Sequence, residues 1–554
     1  MNNVIGNTTG LKASQLRALE RVYSRRIPAS ELISTELARF LTELSLEIRR
    51  QIAVIIDRNG AIFRVIVGDD KSIYIPDLTG FHLGRSGLRG LRLVHTHLKS
   101  EPLTQDDLTD LSLLRFDLMA AIEVASDGLP GAIHYAHLLP ANPENRPCEI
   151  VTVASIHALD LQVDSFIQAL EAEIERQVDE TIDISDTRER AFLISVSQDP
   201  RHDIEDSMAE LDELARTAAV VVVAQVVQRP RKINPKTLIG EGRLKEVVID
   251  AMQKRVGLLI FDQDLTPMQM STISAMTELK VIDRSQLILD IFARRAHTLD
   301  GKVQVELAQL KYLLPRLTGR GTALSRLAGG IGGRGPGETK LETDRRRIRD
   351  RITRLEKQLN NLSRGRRQRR GRRMRGRLPI VSIVGYTNAG KSTLLNALTQ
   401  SQILTEDLLF ATLDTTTRRL RFPLDREIII TDTVGFIRKL PKSLLGAFKA
   451  TLEELEDADL LLHVVDISNP RFEQQIASVE KILSDLDLGM IPRLLIFNKT
   501  DQIPDVEIAP YCRRFEATPV SALNRKTFEP LMLEMERRFW PQEAEPLDFE
   551  DEFN

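Results

Sequence analysis

The stretch Gly385-Tyr386-Thr387-Asn388-Ala389-Gly390-Lys391-Ser392 has residue types and spacing that define a chemistry outright. It fits the pattern GxxxxGK[ST]. Glycines let successive backbone N–H groups turn toward a phosphate chain, Lys391 brings a point charge to the β- and γ-phosphates, and Ser392 offers a hydroxyl to Mg²⁺. Downstream, Asp432-Thr433-Val434-Gly435 supplies an acid for the water shell of Mg²⁺ and, at Gly435, an N–H placed to sense the γ-phosphate. Asn498-Lys499-Thr500-Asp501 selects the base. Asp501 can accept the N1–H and 2-amino hydrogens of guanine together, a donor pair that adenine lacks. Asn498 can bond the purine's other edge, and the Lys499 stem can cover the ring. Ser521-Ala522-Leu523 is expected to bring a backbone N–H to the guanine oxygen. Lys391 and Gly435 are therefore the expected catalytic groups, with GTP as substrate, GDP as product and Mg²⁺ as cofactor.

Between these motifs lies Phe410-Ala411-Thr412-Leu413-Asp414, followed by Thr415, Thr416 and Thr417. One threonine here should reach Mg²⁺ and the γ-phosphate and so order the loop. Phe436 stands after Gly435, where a water-orienting glutamine is common. A phenyl ring has no donor or acceptor for water, so unaided hydrolysis should be slow.

Local elements position these groups. The apolar run Ile380–Val384 reads as a buried strand, and Leu394, Leu395, Ala397 and Leu398 recur at helical spacing. Strand, glycine loop and helix in that order set the helix N-terminus, with its positive dipole end, against the phosphates. Ile428–Thr431 is a strand ending at Asp432, and Leu494–Phe497 a strand ending at Asn498. Ligands of open α/β sheets bind at such carboxyl ends.

The rest of the chain divides by composition and periodicity. Residues 1–189 read as an α+β unit, with a hairpin around Asn59-Gly60, a short run Leu91–Val94 ending at His95-Thr-His97, and a closing helix at about 160–178. In 190–300, strands alternate with helices, which predicts a small unit with a parallel sheet. In 301–363, a helix Val303–Leu314 stopped by Pro315, a loop Gly329–Glu338 and a helix Glu342–Leu362 predict a hairpin whose glycine-rich tip projects. Residues 364–377 carry nine arginines and no acid and read as a linker. The nucleotide domain runs over 378–541. The tail 542–554 carries six carboxylates and no base and reads as disordered.

Composition is that of a globular protein, with 42% hydrophobic and 28% charged residues and a net charge of −3. Cys148 and Cys512 are far apart, without metal spacing, which points to a reducing compartment. No apolar run reaches the ~18 residues of a membrane span. A cytoplasmic monomer is expected.

The segment Gly329-Gly-Ile-Gly-Gly-Arg-Gly-Pro-Gly-Glu-Thr-Lys-Leu-Glu-Thr-Asp-Arg345 resembles the signature of HflX-type GTPases. So do Leu238–Arg243, Gly385–Ser392, Phe410–Asp414 and Asp432–Phe436. The resemblance covers about 190–541. It implies a Ras-like P-loop GTPase domain behind a small α/β unit and a long helical hairpin. Within the threonine-rich loop it selects Thr412, which with Ser392 would ligate Mg²⁺. It also implies a GTP-controlled protein on the large ribosomal subunit and its RNA, with the glycine loop aimed at the peptidyl transferase region and a role in splitting or rescuing stalled ribosomes. Arg334, Lys340 and the arginine tract suit an RNA partner independently. Two other functions fit parts of the chain: an RNA-remodelling or ribosome-assembly factor that also uses ATP, and a metallopeptidase with a GTPase regulator.

The last rests on His95-Thr-His97 and Asp107, which resemble the zinc triad of JAB/MPN metallohydrolases, the RadC-like branch included. Leu98 replaces the usual proline and Thr104 the usual serine, and Glu47 is the candidate upstream glutamate. A degenerate domain carrying little zinc is the expectation.

Overall fold

The computed structural model describes residues 3–181, 188–317, 336–373, 378–399, 416–422, 426–433, 435–437 and 455–541, apart from a few positions between 77 and 145. Phe410–Thr415, Val434, the glycine loop up to Gly335, Met374–Arg377 and the acidic tail lie outside that set. The chain divides into two compact units. One comprises Met1–Phe192 with Ile239–Leu258 and Met276–Lys280; the other comprises Leu193–Leu238, Leu259–Ala275 and Val281–Asn554. Residues 239–258 and 276–280, expected with the 190–300 unit, thus group with the first. Among the described residues no helix is long and apolar enough to cross a membrane.

The first unit is built on a seven-stranded sheet: β1 (Ile5–Gly6), β2 (Ile52–Asp57), β3 (Ile62–Val67), β4 (Leu91–His97), β5 (Leu118–Val124), β6 (Pro130–Leu138) and β7 (Cys148–Val153), in the order β1-β3-β2-β4-β5-β6-β7. β4 pairs antiparallel with β2 and parallel with β5, so it is central, and it is buried along its whole length. The helix Thr35–Ile48 starts at Ser34, whose hydroxyl caps Leu37 N, and lays Leu37, Leu41 and Leu44 into the core.

A four-stranded sheet follows: β8 (Arg190–Val196), β9 (Val221–Gln228), β10 (Leu258–Phe261) and β11 (Lys280–Asp283), in the order β11-β10-β8-β9. The helix Leu299–Arg316 runs through Pro315 rather than stopping before it. So close to the end, the missing N–H costs the helix one hydrogen bond in its last turn. The returning helix runs from Pro336 to Arg373. It takes in Arg364–Arg373, which composition assigned to the linker; arginine is a good helix former, and the helix continues into the tract. The two helices pack Val303 and Leu307 on Leu355, with Arg351–Glu306 and Lys311–Glu356 ion pairs alongside.

The nucleotide domain holds β12 (Ile380–Gly385), β13 (Thr416–Phe422), β14 (Arg426–Asp432), β15 (Leu460–Asp466), β16 (Arg493–Asn498) and β17 (Thr518–Pro519), in the order β13-β14-β12-β15-β16-β17. β12 is central and pairs parallel with β14 on one side and β15 on the other. Chain order reverses beside it, which makes its carboxyl end the switch point of the sheet. Thr416 and Thr417, candidates for the Mg²⁺ threonine, are strand residues of β13 opposite Asp432 and Thr431.

His463, inside β15, is buried, and that burial, with Arg493 and Lys391 nearby, pushes its pKa down to about 3. The unfolded chain therefore binds a proton below pH ~6.5 that the fold refuses, so stability falls as pH drops from there toward the folded value. Between pH 7 and pH 5 His463 should cost the domain about 2 kcal/mol. Urea unfolding followed by Trp540 fluorescence should show His463→Leu losing that much less on acidification than the parent. An equal loss would place the acid sensitivity elsewhere.

Candidate functional site

The phosphate-loop pattern sits at the end of β12, and the helix Lys391–Thr399 leaves directly from it. The loop is shaped by backbone that only small residues fit. Gly390 has φ +85°, and a Cβ there would strike the Asn498 side-chain nitrogen. Asn388 also takes a left-handed φ, of +62°. Lys391 is buried, and its Nζ donates to Tyr386 O at 2.7 Å. Burial pushes the Lys391 pKa down to about 8, with Asp432 pulling the other way. Ser392 Oγ donates to Asp432 Oδ2 at 2.6 Å, so the two groups expected around Mg²⁺ are adjacent.

The segment after Asp432 is stitched to β12 and the loop by the Thr433 hydroxyl and by backbone bonds. Thr433 Oγ1 donates to Ile383 O at 2.6 Å. Thr387 N donates to Phe436 O at 2.7 Å and Phe436 N to Gly385 O at 3.0 Å, a parallel bridge between Tyr386 and Phe436. A Cβ at Gly435 would crowd Lys391 Nζ and Thr387 Cγ2 at 2.8 Å and the Thr387 backbone at 3.0 Å. Phe436 and Ile437 are buried, so the ring at 436 packs inward.

The residues expected to select the base meet from two strands. Asn498 ends β16 and is buried. Its Nδ2 donates to Ala389 O at 2.8 Å, and its Oδ1 accepts from Ala522 N at 3.0 Å. These two bonds tie the phosphate loop to the Ser521–Leu523 loop through one amide, and they use one of the two hydrogens on Nδ2. Ser521 Oγ donates to Asp501 Oδ1 at 2.5 Å, which fixes the carboxylate. Lys499, in left-handed backbone at φ +64°, pairs with Asp466 at 2.8 Å. Leu523 is 80% exposed beside this site. Thr500 opens a short helical turn with Asp501. The sequence reading missed Ser521, Asp466 and Asn498 as clamps, since each acts on a distant partner. Thr412 and the rest of Phe410–Asp414 fall outside the described residues.

In the first unit, alternation along β4 puts His95 and His97 on one face. The helix Gln105–Leu114 brings Asp107 to them. Thr104 caps that helix, and Asp107 Oδ2 accepts from Thr104 N and Oγ1, each at 2.7 Å. His95 Nε2 lies 2.9 Å from His97 Nε2 and 3.4 Å from Asp107 Oδ1; His97 Nε2 lies 3.6 Å from Asp107 Oδ2. Three ligands of a tetrahedral zinc ion stand about 3.3 Å apart, given Zn–N and Zn–O bonds of ~2.0–2.1 Å. The donor set therefore fits such an ion. His97 Nδ1 faces Glu101 O at 3.0 Å, which turns Nε2 inward. Burial pushes the His95 pKa down to about 4, so its ring is neutral. Glu47, the candidate glutamate, is exposed and accepts from Gln15 Nε2 at 2.8 Å, outside the cluster. Glu123, opposite His97 in the β4–β5 register, instead lies 3.0 Å from His134 Nε2.

Comparison with known families finds matches from residue 205 onward. Residues 205–293 match the family described as GTP-binding GTPase N-terminal, 295–373 the GTP-binding GTPase Middle Region, and 380–499 the 50S ribosome-binding GTPase family. The GTPase HflX of Caldanaerobacter subterraneus subsp. tengcongensis is 48% identical over 362 residues, covering 65% of this chain and 83% of that protein. The GTPase HflX of Escherichia coli is 45% identical over 323 residues, covering 58% and 75%. A solved GTP-binding protein from Sulfolobus solfataricus in complex with GDP aligns at 25% identity and a TM-score of 0.36, covering 63% and 98%.

The depressed pKa of Lys391 makes phosphate binding proton-linked. Near pH 8 about half of the free molecules lack that proton, and an anionic phosphate chain should restore it, so binding should take up roughly half a proton and weaken as pH rises further. Titration calorimetry with GDP at pH 8, in two buffers of different ionisation enthalpy, measures this directly. Zero uptake would place the free lysine well above pH 8.

Proposed function

Because the chain belongs to the HflX family of GTPases, we propose that it binds and hydrolyses GTP at Gly385–Ser392 and works on the large ribosomal subunit. The observation that carries this reading is the convergence of the loop, Asp432, Asn498 and Asp501 at the carboxyl ends of β12, β14 and β16. Asp501 accepts the guanine donors, and Asn498 locks the loops around them. Ser392 would hold Mg²⁺ together with Thr412, with Asp432 in its water shell; when bound, the ion neutralises charge on the β- and γ-phosphates. Lys391 adds a second positive charge, and the Gly435 N–H reports the γ-phosphate. Relatives named as GTPases favour GTP over an ATP-dependent remodeller. The protein acts in the cytoplasm as a monomer that splits or rescues stalled ribosomes, and the arginine tract and glycine loop contact RNA.

Phe436 provides the timing. With its ring packed inward, nothing at that position orients the attacking water, so the free protein turns over slowly. The large subunit should complete the site by acting on the two loops at 410–418 and 433–440. One added hydrogen bond to the water, about 2–4 kcal/mol, corresponds to roughly 30- to 1,000-fold. Single-turnover hydrolysis and co-sedimentation with large subunits, in GDP and in a non-hydrolysable GTP analogue, test both parts. Fast hydrolysis indifferent to subunits, or co-sedimentation indifferent to nucleotide, would defeat the reading.

A second reading is confined to the first unit. The spacing of His95, His97 and Asp107 favours a bound divalent ion over the metal-poor expectation. Elemental analysis should find close to one zinc per chain, lost in His97→Ala while GTP binding persists. Metal-free parent protein after purification with added zinc would return the cluster to a buried polar contact.

A further inference from the structure

A carboxylate outside the nucleotide sheet reaches the phosphate loop. Glu210 lies on the helix Arg201–Thr217, and its Oε1 accepts the Tyr386 hydroxyl at 2.7 Å. Its other oxygen accepts from Arg284 Nη2 at 2.6 Å. Arg284 begins the helix Arg284–Arg295 and also donates from Nη1 to Asp262 Oδ1 at 2.9 Å. Ser207 Oγ donates to the same Asp262 carboxylate at 2.8–2.9 Å. The side chains of Arg284, Asp262 and Glu210 are only 3%, 4% and 10% exposed. Buried charges placed this way are held in one arrangement, since losing a partner strands a charge. Glu210 is thus a fixed point.

Tyr386 is the residue through which that point can act. Its carbonyl accepts from Lys391 Nζ, and its backbone bridges Phe436. One residue therefore joins the phosphate lysine, the segment after Asp432 and the helix carrying Glu210. A second tie lies one turn earlier on that helix, where Asp206 pairs with Arg471, ahead of the helix Phe472–Asp485. Asp206, Glu210, Tyr386, Asn388, Asp466 and Arg471 line one cleft beside the loop.

We propose that Glu210 is a positioning residue for the GTPase reaction: it holds Tyr386 and so keeps the phosphate loop shaped for nucleotide before nucleotide arrives. The proposal rests on the loop being the GTP site. A loop ordered in advance loses less freedom on binding, and the gain appears as affinity for GDP and GTP alike. It does not appear in the chemical step, because the phenol points to Glu210 and not to the reacting atoms.

Tyr386→Phe removes only the hydroxyl and is the primary probe. It should raise the dissociation constants of GDP and of a non-hydrolysable GTP analogue by roughly tenfold, and KM by a similar factor, with kcat within about twofold. Glu210→Gln keeps an acceptor for the phenol and should lose less than Glu210→Ala. In a double-mutant cycle, Tyr386→Phe should add little on top of Glu210→Ala. A merely structural contact would lower the melting temperature and leave the dissociation constants and KM where they were. Unchanged nucleotide binding in Tyr386→Phe, or fully additive effects in the cycle, would overturn the proposal even if Glu210→Ala fails to fold. If the parent protein itself binds no GTP, the nucleotide reading falls, and this proposal with it.

Discussion

A single buried amide governs the geometry of the nucleotide site. Asn498 spans from the phosphate loop at Ala389 to the base loop at Ala522. Leaving either bond unmade in the interior costs about 1–3 kcal/mol, so the two loops are held at one separation. The same amide explains the glycine at 390, whose missing side chain is the space that Asn498 occupies. Ser521 then bonds Asp501, and Lys499 bonds Asp466. The phosphate loop and the Asn498–Asp501 motif are thereby joined in one hydrogen-bonded frame resting on β12, β15 and β16. The segment from Asp432 joins it through side-chain bonds at Asp432 and Thr433 and through the backbone bridge between Tyr386 and Phe436.

The first unit follows a different logic. Its core is largely apolar, and one cluster of buried polar groups lies where β4 ends. Two buried imidazoles and a half-buried carboxylate face one another there. Like any buried polar cluster, they need partners that keep their donors and acceptors satisfied, and a cation would meet that need for all three at once. Asp107 does two things in this arrangement, closing the helix cap with Thr104 and completing the cluster.

Features set by local backbone were legible in the sequence. The strand, glycine loop and helix around Lys391 were readable because glycines, a lysine and apolar periodicity act within a dozen residues. Asp432, Asn498 and Asp501 were readable because each ends a strand or follows one. The arginine tract misled, since charge density reads as linker whereas backbone propensity carried the helix on to Arg373. β5 and β6 passed unrecognised, because Ala120, Ala121 and Gly131 dilute the β-branched signal that marks a strand. The bond between Glu210 and Tyr386 was invisible for another reason. It joins residues 176 apart, and neither belongs to a pattern that requires the other. Glu47 was a plausible glutamate by order along the chain, but folding gave it Gln15 as a partner.

The helix Pro336–Arg373 has 38 residues, and the helix it packs on has 18. At 1.5 Å per residue they extend about 57 Å and about 27 Å. At least half of the longer one therefore lies beyond anything its partner can brace. Such a rod is a lever arm: a tilt of five degrees about one end sweeps the other through about 5 Å, given that length. Only six residues separate Arg373 from Ile380, where β12 begins. A shift in the seating of the nucleotide sheet that is too small to break a hydrogen bond would thus reach the glycine-rich end of the helix as a displacement of nearly a full helical turn. Mechanical gain of this kind lets a change around one phosphate be felt at molecular distances without unfolding anything in between.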